Sequence, residues 1–213
     1  MRNLILLSLV FYLTVPFKAQ SQNQYWGNPL IEIGLSQNTL LAADNYLGNS
    51  AIREDTFLKF SGKLGTSYHL FQSLNCLFFT GYSEFGGKQK LNNNYRDEFT
   101  FRAWELGIIP HLKSGFLSAG FGVKYNYHLK MTGKWWGSVN QSPGTDGEFE
   151  ERDIDQWYKK GSFDLGWRMS AKKAHVLISF EYWKTLGDLE KDDLDKYVDF
   201  SQFNFRFLMG YQF

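Results

Sequence analysis

Four histidines, His69, His111, His128 and His175, are the side chains of this sequence best suited to move a proton near neutral pH. A hydrolytic site would need one of them held beside a nucleophile. None has a serine two residues on: His69 is followed by Leu70 and Phe71, and His128 by Leu129 and Lys130. A protease of the Asp–His kind would want both residues in the same loops. Carboxylates crowd two runs, DGEFEERDID and DLEKDDLD, but neither contains a histidine. Neither has the Asp-x-Asp-x-Asp-Gly spacing and closing Glu of a calcium loop. Cys76 is a lone cysteine, which excludes an internal disulfide and reads as a small strand residue. The sequence contains no Gly-rich phosphate loop, metal-ligand cluster or dinucleotide fingerprint, so no cofactor is expected. With a formal net charge of +1, nucleic acid is not an expected partner.

The elements that would carry these residues read as strands. Of 213 residues, 20 are Phe, 12 Tyr, 7 Trp and 20 Gly, with 4 Pro, a balance that suits long strands with tight bends. Period-two alternation marks eight strands, at about 30–40, 56–70, 74–85, 98–112, 115–131, 158–171, 173–186 and 203–213. In the first, Ile31, Ile33 and Leu35 oppose Glu32, Gly34 and Ser36. In the fifth, Leu117, Ala119, Phe121, Val123, Tyr125, Tyr127 and Leu129 oppose Ser118, Gly120, Gly122, Lys124, Asn126, His128 and Lys130. The third alternates poorly, because Leu77, Phe78 and Phe79 are consecutive; a bulge or an inward aromatic would each explain it. Connections alternate between short (FQS, KS, AK) and long polar segments such as GGKQKLNNNYRD, the pattern of an up-and-down membrane barrel.

The polar face is rich in Gly and Ser, which fits a narrow barrel interior. The apolar face then points to lipid, with Tyr68, Tyr127, Tyr182 and Tyr211 at its interfaces. The fold expected is an all-β, eight-stranded antiparallel up-and-down transmembrane β-barrel. Glu32, Glu105, Asp164 and Glu181 then face Lys59, Lys63, Lys124, Arg168 and Arg206 across the lumen. Buried charges persist when paired, so these nine residues are expected to form an ion-pair network that plugs the barrel. His128 faces inward in the outer half of its strand, and is expected to be a hydrogen-bonded lumen histidine.

Residues 1–21 have a basic start at Arg2, an apolar run over 4–15 and small residues after it, a secretory signal peptide cleaved after Ala19 or Ser21. The mature domain is then 22–213. No later apolar stretch approaches the roughly 18 residues of a membrane helix, so any crossing is made by strands.

The signal peptide, the eight amphipathic strands and the ending FRFLMGYQF together resemble the small eight-stranded outer-membrane β-barrels. These are the OmpA/OmpX-like group with the outer membrane protein beta-barrel domain and PorT-like families. The resemblance spans the mature chain. It implies the outer membrane of a Gram-negative bacterium, contact with outer-membrane lipid, and insertion by the barrel-assembly machinery. The ending is similar to that group's assembly signal, at Phe207, Met209, Tyr211 and Phe213; Gly210, directly before Tyr211, departs from the commonest spacing. Activity is not implied by the fold. The expected protein is non-enzymatic, serving structural, surface-interaction or envelope-complex roles with other envelope proteins through long outer loops. A lipid-modifying acyl hydrolase or transferase at the outer rim is the alternative. In the loop KWWGSVNQSPG, two readings fit Trp135 and Trp136 equally, a partner-recognition site or an interface anchor.

Overall fold

Strands whose every second residue is large and apolar must place that row against something that is not water, and the shape that does so without leaving a free edge is a closed barrel. A computed structural model of the chain describes residues 27–42, 53–55, 57–71, 73–92, 95–136, 150–156, 158–187, 189 and 200–213. The signal peptide expected over 1–21 lies outside the described residues. Among the described residues there are ten strands: β1 (Asn28–Ala42), β2 (Arg53–Asp55), β3 (Phe57–His69), β4 (Leu74–Asn92), β5 (Tyr95–Ser114), β6 (Leu117–Trp136), β7 (Glu150–Asp153), β8 (Gly161–Lys173), β9 (Val176–Leu186) and β10 (Phe200–Gln212). Eight of them pair in antiparallel fashion in the order β1-β3-β4-β5-β6-β8-β9-β10, and β10 returns to β1 to close the cylinder. The closing seam runs from Leu30↔Gln212 to Ala42↔Phe200. β2 and β7 are short riders on the outer ends of β4 and β6.

The wall faces outward with its apolar row. Ile33, Leu58, Leu106, Phe121, Met169 and Phe207 are all more than half exposed on the outer face of the wall, Phe121 to 76%. The outward run over 117–127 in β6 matches the roughly 9–11 tilted residues that cross a hydrocarbon core. The fold is therefore an eight-stranded up-and-down transmembrane barrel, with Glu32, Ser36, Lys63, Glu105, Lys124, Ser179 and Arg206 buried inside.

Two tight turns close one end. Gly115 (φ 60) and Ala174 (φ 53) take the left-handed first position of the turns Gly115–Phe116 and Ala174–His175. The KS and AK pairs expected as turns are instead the ends of the strands: Lys113 and Ser114 finish β5, and Ala171 and Lys172 lie in β8. At the other end the strands run further than the alternation indicated. Within GGKQKLNNNYRD, expected as a long loop, the described residues extend the β4–β5 hairpin in pairs from Gly87↔Phe99 to Asn92↔Tyr95. Most of this extension is polar on both faces, so only Phe99, in the inward row of Phe101 and Ala103, marked it.

The ambiguous third strand resolves without a bulge at its irregular point. Leu77 and Phe79 point into the lumen and Phe78 points out, with β3 and β4 in continuous register from Ser61↔Ser83 to His69↔Asn75. A register shift does occur in β6. Arg102 pairs with Lys130 while Ala103 pairs with His128, which leaves Leu129 as an extra residue. The bulge reverses the parity expected above it: Lys130 is exposed and Met131 is buried.

Candidate functional site

The lumen is filled in three layers. The middle layer is charged, and cross-strand register creates its first contacts. Glu32 lies opposite Lys63, Arg168 opposite Glu181, Lys124 opposite Asp164, and Arg206 opposite Glu181. Side chains then reach across the lumen and join these neighbours into two quartets.

In the first quartet, Arg168 Nη1 donates to Glu181 Oε1 at 2.5 Å and Nη2 to Glu32 Oε1 at 2.8 Å. Lys63 pairs with Glu181 and stands 3.4 Å from Glu32 Oε2. Ser179 accepts from Arg168 at 2.6 Å and donates to Glu32 at 2.5 Å. In the second, Glu105 accepts both arms of Arg206, one of them at 2.6 Å, and takes Lys124 at 2.5 Å and the Ser83 hydroxyl at 2.6 Å. Lys124 also reaches Asp164 at 3.2 Å. Trp183 links the two: its indole N–H donates to Glu181 at 3.0 Å, and the Lys124 ammonium sits 5.2 Å from its ring centroid. Each quartet holds two carboxylates and two cations, so the layer is neutral. Guanidinium and hydroxyl donors add hydrogen bonds to Glu32 and Glu105, and a guanidinium and an indole N–H to Glu181, as buried carboxylates require.

Eight of the nine expected network residues meet in these quartets. The ninth, Lys59, does not: it is half-buried above the layer, where Glu98 and Glu84 are the carboxylates that act on it. Its parity is inward, but its height on β3 places it at the outer mouth.

Below the charges, Leu30, Leu77, Phe79, Ile109, Leu177 and Trp183 form an apolar layer. Trp183 fits because its cross-strand neighbour is Gly166, where a Cβ would run into the indole ring. Above the charges is a second apolar layer, of Phe85, Phe99, Phe101, Ala103, Met131, Ile154, Tyr158 and Leu189. Phe85 and Phe101 stack at 5.2 Å, and Tyr158 meets Phe101 edge-on at 5.1 Å. Gly86 follows Phe85 on β4 with a φ of 150, and the Phe99 carbonyl beside it leaves no room for a Cβ. Ile154, Tyr158 and Leu189 come from outside the barrel strands and act as a stopper. Asp155 fixes the stopper: it accepts the Met131 amide at 2.7 Å and the Lys160 ammonium at 2.6 Å. Partial burial works against its charge, but the Lys160 ammonium and the Met131 amide outweigh that and hold the carboxyl below the usual aspartate range.

His128 stands inward, as expected, between the charged layer and the aromatic one. Its Nδ1–H donates to the Lys159 carbonyl at 2.6 Å, which leaves Nε2 as an acceptor for the Ser162 hydroxyl at 3.3 Å. Ser162 in turn accepts the Asn126 amide at 3.1 Å. This is a serine–histidine contact that the search for local spacing did not find. The two residues are brought together by the β6–β8 ladder, which pairs Asn126 with Ser162. His128 is 1% exposed and Ser162 8%, with the Phe85 and Phe101 rings beside the imidazole. The other histidines lie at the tight-turn end. His69 bonds Asn75, His111 the Ile109 carbonyl and His175 the Gln212 carbonyl.

Phe207, Met209, Tyr211 and Phe213 all face out of the barrel wall on or just after β10. Trp135 and Trp136, expected in a loop, are the last residues of β6, with backbones paired to Asp97 and Arg96. Among the described residues no group of three metal-ligating side chains occurs.

An apolar wall outside and a packed, neutral lumen inside define the molecule. It is a small, filled eight-stranded barrel. No protein-family model matches the sequence, and no curated protein matches it. Solved structures resemble it in outline. Ail, the attachment invasion locus protein of Yersinia pestis, is similar at 13% identity with a TM-score of 0.49, over 88% of this chain and 99% of that one. Neisserial surface protein A is similar at 12% identity and a TM-score of 0.48, over 87% and 97%. The outer membrane protease OmpT of Escherichia coli is similar at 9% and 0.45, over 92% and 99%. The fold assignment above stands on the strand ladders and the outward apolar wall, without these likenesses.

Proposed function

We propose that the protein is a non-enzymatic integral barrel of a Gram-negative outer membrane, with a sealed lumen and with its contacts made at the outer end. The filled lumen carries this reading. Two neutral ion-pair quartets lie between two apolar layers, so no single-sign ring of charge lines a path for ions. Its roles are structural, or those of a surface or envelope-complex partner, through the β4–β5 hairpin and the segment that follows β6. Removal of residues 1–21 and delivery to the barrel-assembly machinery through Phe207, Met209, Tyr211 and Phe213 belong to the same reading. Purified barrel in a planar bilayer should give no stable large conductance. A steady open channel would overturn the sealed lumen.

One observation favours a second reading, a lipid-modifying enzyme: the Ser162–His128 contact has the polarity of a nucleophile and its base. Its burial, and the partners that already hold the Ser162 hydroxyl and both His128 ring nitrogens, favour a structural role instead. A serine-reactive fluorophosphonate should leave the folded protein unlabelled. Labelling lost in Ser162→Ala would establish the enzyme.

A further inference from the structure

Three polar side chains at the second quartet are only half paired. Asp164, Asn126 and Asn204 are 3%, 1% and 2% exposed, and in each one polar atom has no hydrogen-bond partner within the protein: Asp164 Oδ1, Asn126 Oδ1 and Asn204 Nδ2. A buried polar atom left so forfeits its hydration, and folded proteins rarely leave one that way. The other atom of each side chain is engaged, and that contact decides which end is free. Arg206 Nε can only donate, so the Asn204 atom it meets at 3.3 Å is the carbonyl oxygen and the NH2 points away. The Ser162 hydroxyl spends its proton on His128 Nε2, so the Asn126 atom it meets at 3.1 Å is the NH2, which leaves the oxygen free. Lys124 holds Asp164 by Oδ2 at 3.2 Å. Two acceptors and one donor are therefore left over by the network itself.

They belong to one band of the lumen. Asn126 and Asn204 are the next inward residues after Lys124 and Arg206 on the side of the stopper, and Asp164 stands beside Asn126 on successive inward rungs, Lys124↔Asp164 and Asn126↔Ser162. Asp164 also lies close enough to Arg206 to act on it electrostatically. A group that completes this band must donate twice and accept once. The Lys124 ammonium and the Arg206 guanidinium oppose a cation there, and the Asp164 and Asn126 oxygens oppose an anion. Water is neutral and has two donors and two acceptor lone pairs, and a buried water typically makes about three hydrogen bonds.

We propose that the lumen binds an internal water molecule here, which donates to Asp164 Oδ1 and Asn126 Oδ1 and accepts from Asn204 Nδ2. It ties β6, β8 and β10 together beside the second quartet. It also continues the quartet into the chain Asn126, Ser162, His128. The apolar layers on both sides, with Phe101 and Tyr158 above and Phe79 and Trp183 below, shut this water off from the bulk and make its residence long. The site depends on the lumen alone, not on what the outer end contacts.

A crystal structure of the full barrel at a resolution that shows ordered solvent tests it. A water should stand about 2.7–3.2 Å from Asp164 Oδ1, Asn126 Oδ1 and Asn204 Nδ2. Direct contact between Asp164 and the two amides with no water among them would overturn the site. So would a metal ion there, recognised by oxygen contacts shorter than about 2.6 Å. Asn204→Gln carries the amide one methylene further into the lumen, where its two N–H donors meet both oxygens in the water's place. Oxygen-17 relaxation dispersion in detergent micelles counts the long-lived waters of each folded barrel, with folding read first from heat-modified gel mobility. The count should fall by one from the wild type to Asn204→Gln, and an equal count in the folded variant would overturn the site. The wild-type crystal structure decides the matter by itself if the variant does not fold.

Discussion

The charged middle of the lumen and the aromatic layer above it fill the same cylinder by different rules. The middle is made wholly of strand residues, and most of them depend on partners across the barrel: Arg206 on Glu105, Arg168 on Glu32, Lys63 on Glu181. The aromatic layer mixes strand residues with Ile154, Tyr158 and Leu189 from the connections. Its contacts are ring against ring and have no charge to leave unpaired. The middle is therefore specific and brittle. Removing one member strands the others in a medium that cannot solvate them. The upper layer is tolerant, because an apolar neighbour can repack into lost volume at modest cost.

The largest expected effect follows from that difference. Glu105→Leu leaves Arg206 without its carboxylate and Lys124 with Asp164 alone, and should destabilise the folded barrel by about 3–5 kcal/mol. Urea unfolding in lipid vesicles, followed by tryptophan fluorescence, measures it. Replacing Glu105, Arg206, Lys124 and Asp164 together with apolar residues of similar volume should recover most of the loss. A single variant as mild as the fourfold one would erase the contrast between the layers. Phe101→Ala comes next, at about 3 kcal/mol for the cavity left beneath Tyr158 and Phe85, whereas Phe101→Leu should cost under about 1.5 kcal/mol. The same unfolding assay ranks them, and a Leu variant as damaging as Glu105→Leu would show that the upper layer is no more tolerant than the middle. Ser162→Ala lies between the two layers in position and below both in size. It leaves His128 Nε2 without its donor, which should cost roughly 1–3 kcal/mol. Restoring a hydroxyl with Ser162→Thr should return most of it.

The two layers also differ in how far they can be read from sequence. Membrane strands impose strict alternation, so parity alone assigned Glu32, Lys63, Glu105, Lys124, Asp164, Arg168, Glu181 and Arg206 to one interior. Opposite charges brought to one low-dielectric space then have to pair. Height along the strand is not encoded by parity, which is why Lys59 was grouped with residues that lie below it. The upper layer was harder to read. Phe99 and Phe101 share the parity of Ala103 and Glu105, and extending that row upward would have found them. Ile154 and Leu189, by contrast, lie in polar connections with no period to follow. The bulge at Leu129 gave no composition signal, yet it carries Met131 inward and Lys130 outward. Leu77 and Phe79 were ambiguous because aromatic residues suit either side of a thin wall. Gly107, the cross-strand partner of Phe79, is the small residue that makes room for it inside.

The smallest effect tests how the stopper is attached. Asp155 ties the 154–160 segment to the barrel by accepting the Met131 amide and the Lys160 ammonium. Its folded pKa is lowered, so the tie contributes fully above the ordinary aspartate range, near 3.8, and is lost as pH falls through the lower folded value. Solvent screens this partly exposed pair, so Asp155→Asn should change global stability by no more than about 1 kcal/mol. Local opening is the sharper readout. Hydrogen exchange at the Met131 amide should quicken several-fold in the variant at neutral pH, while amides of the charged layer, such as that of Glu105, stay protected. Wild type brought to acid pH, corrected for the intrinsic exchange rate, should approach the variant. If the Glu105 amide loosened in step with Met131, stopper and charged layer would be one cooperative unit, and the division between a brittle middle and a tolerant cap would fail.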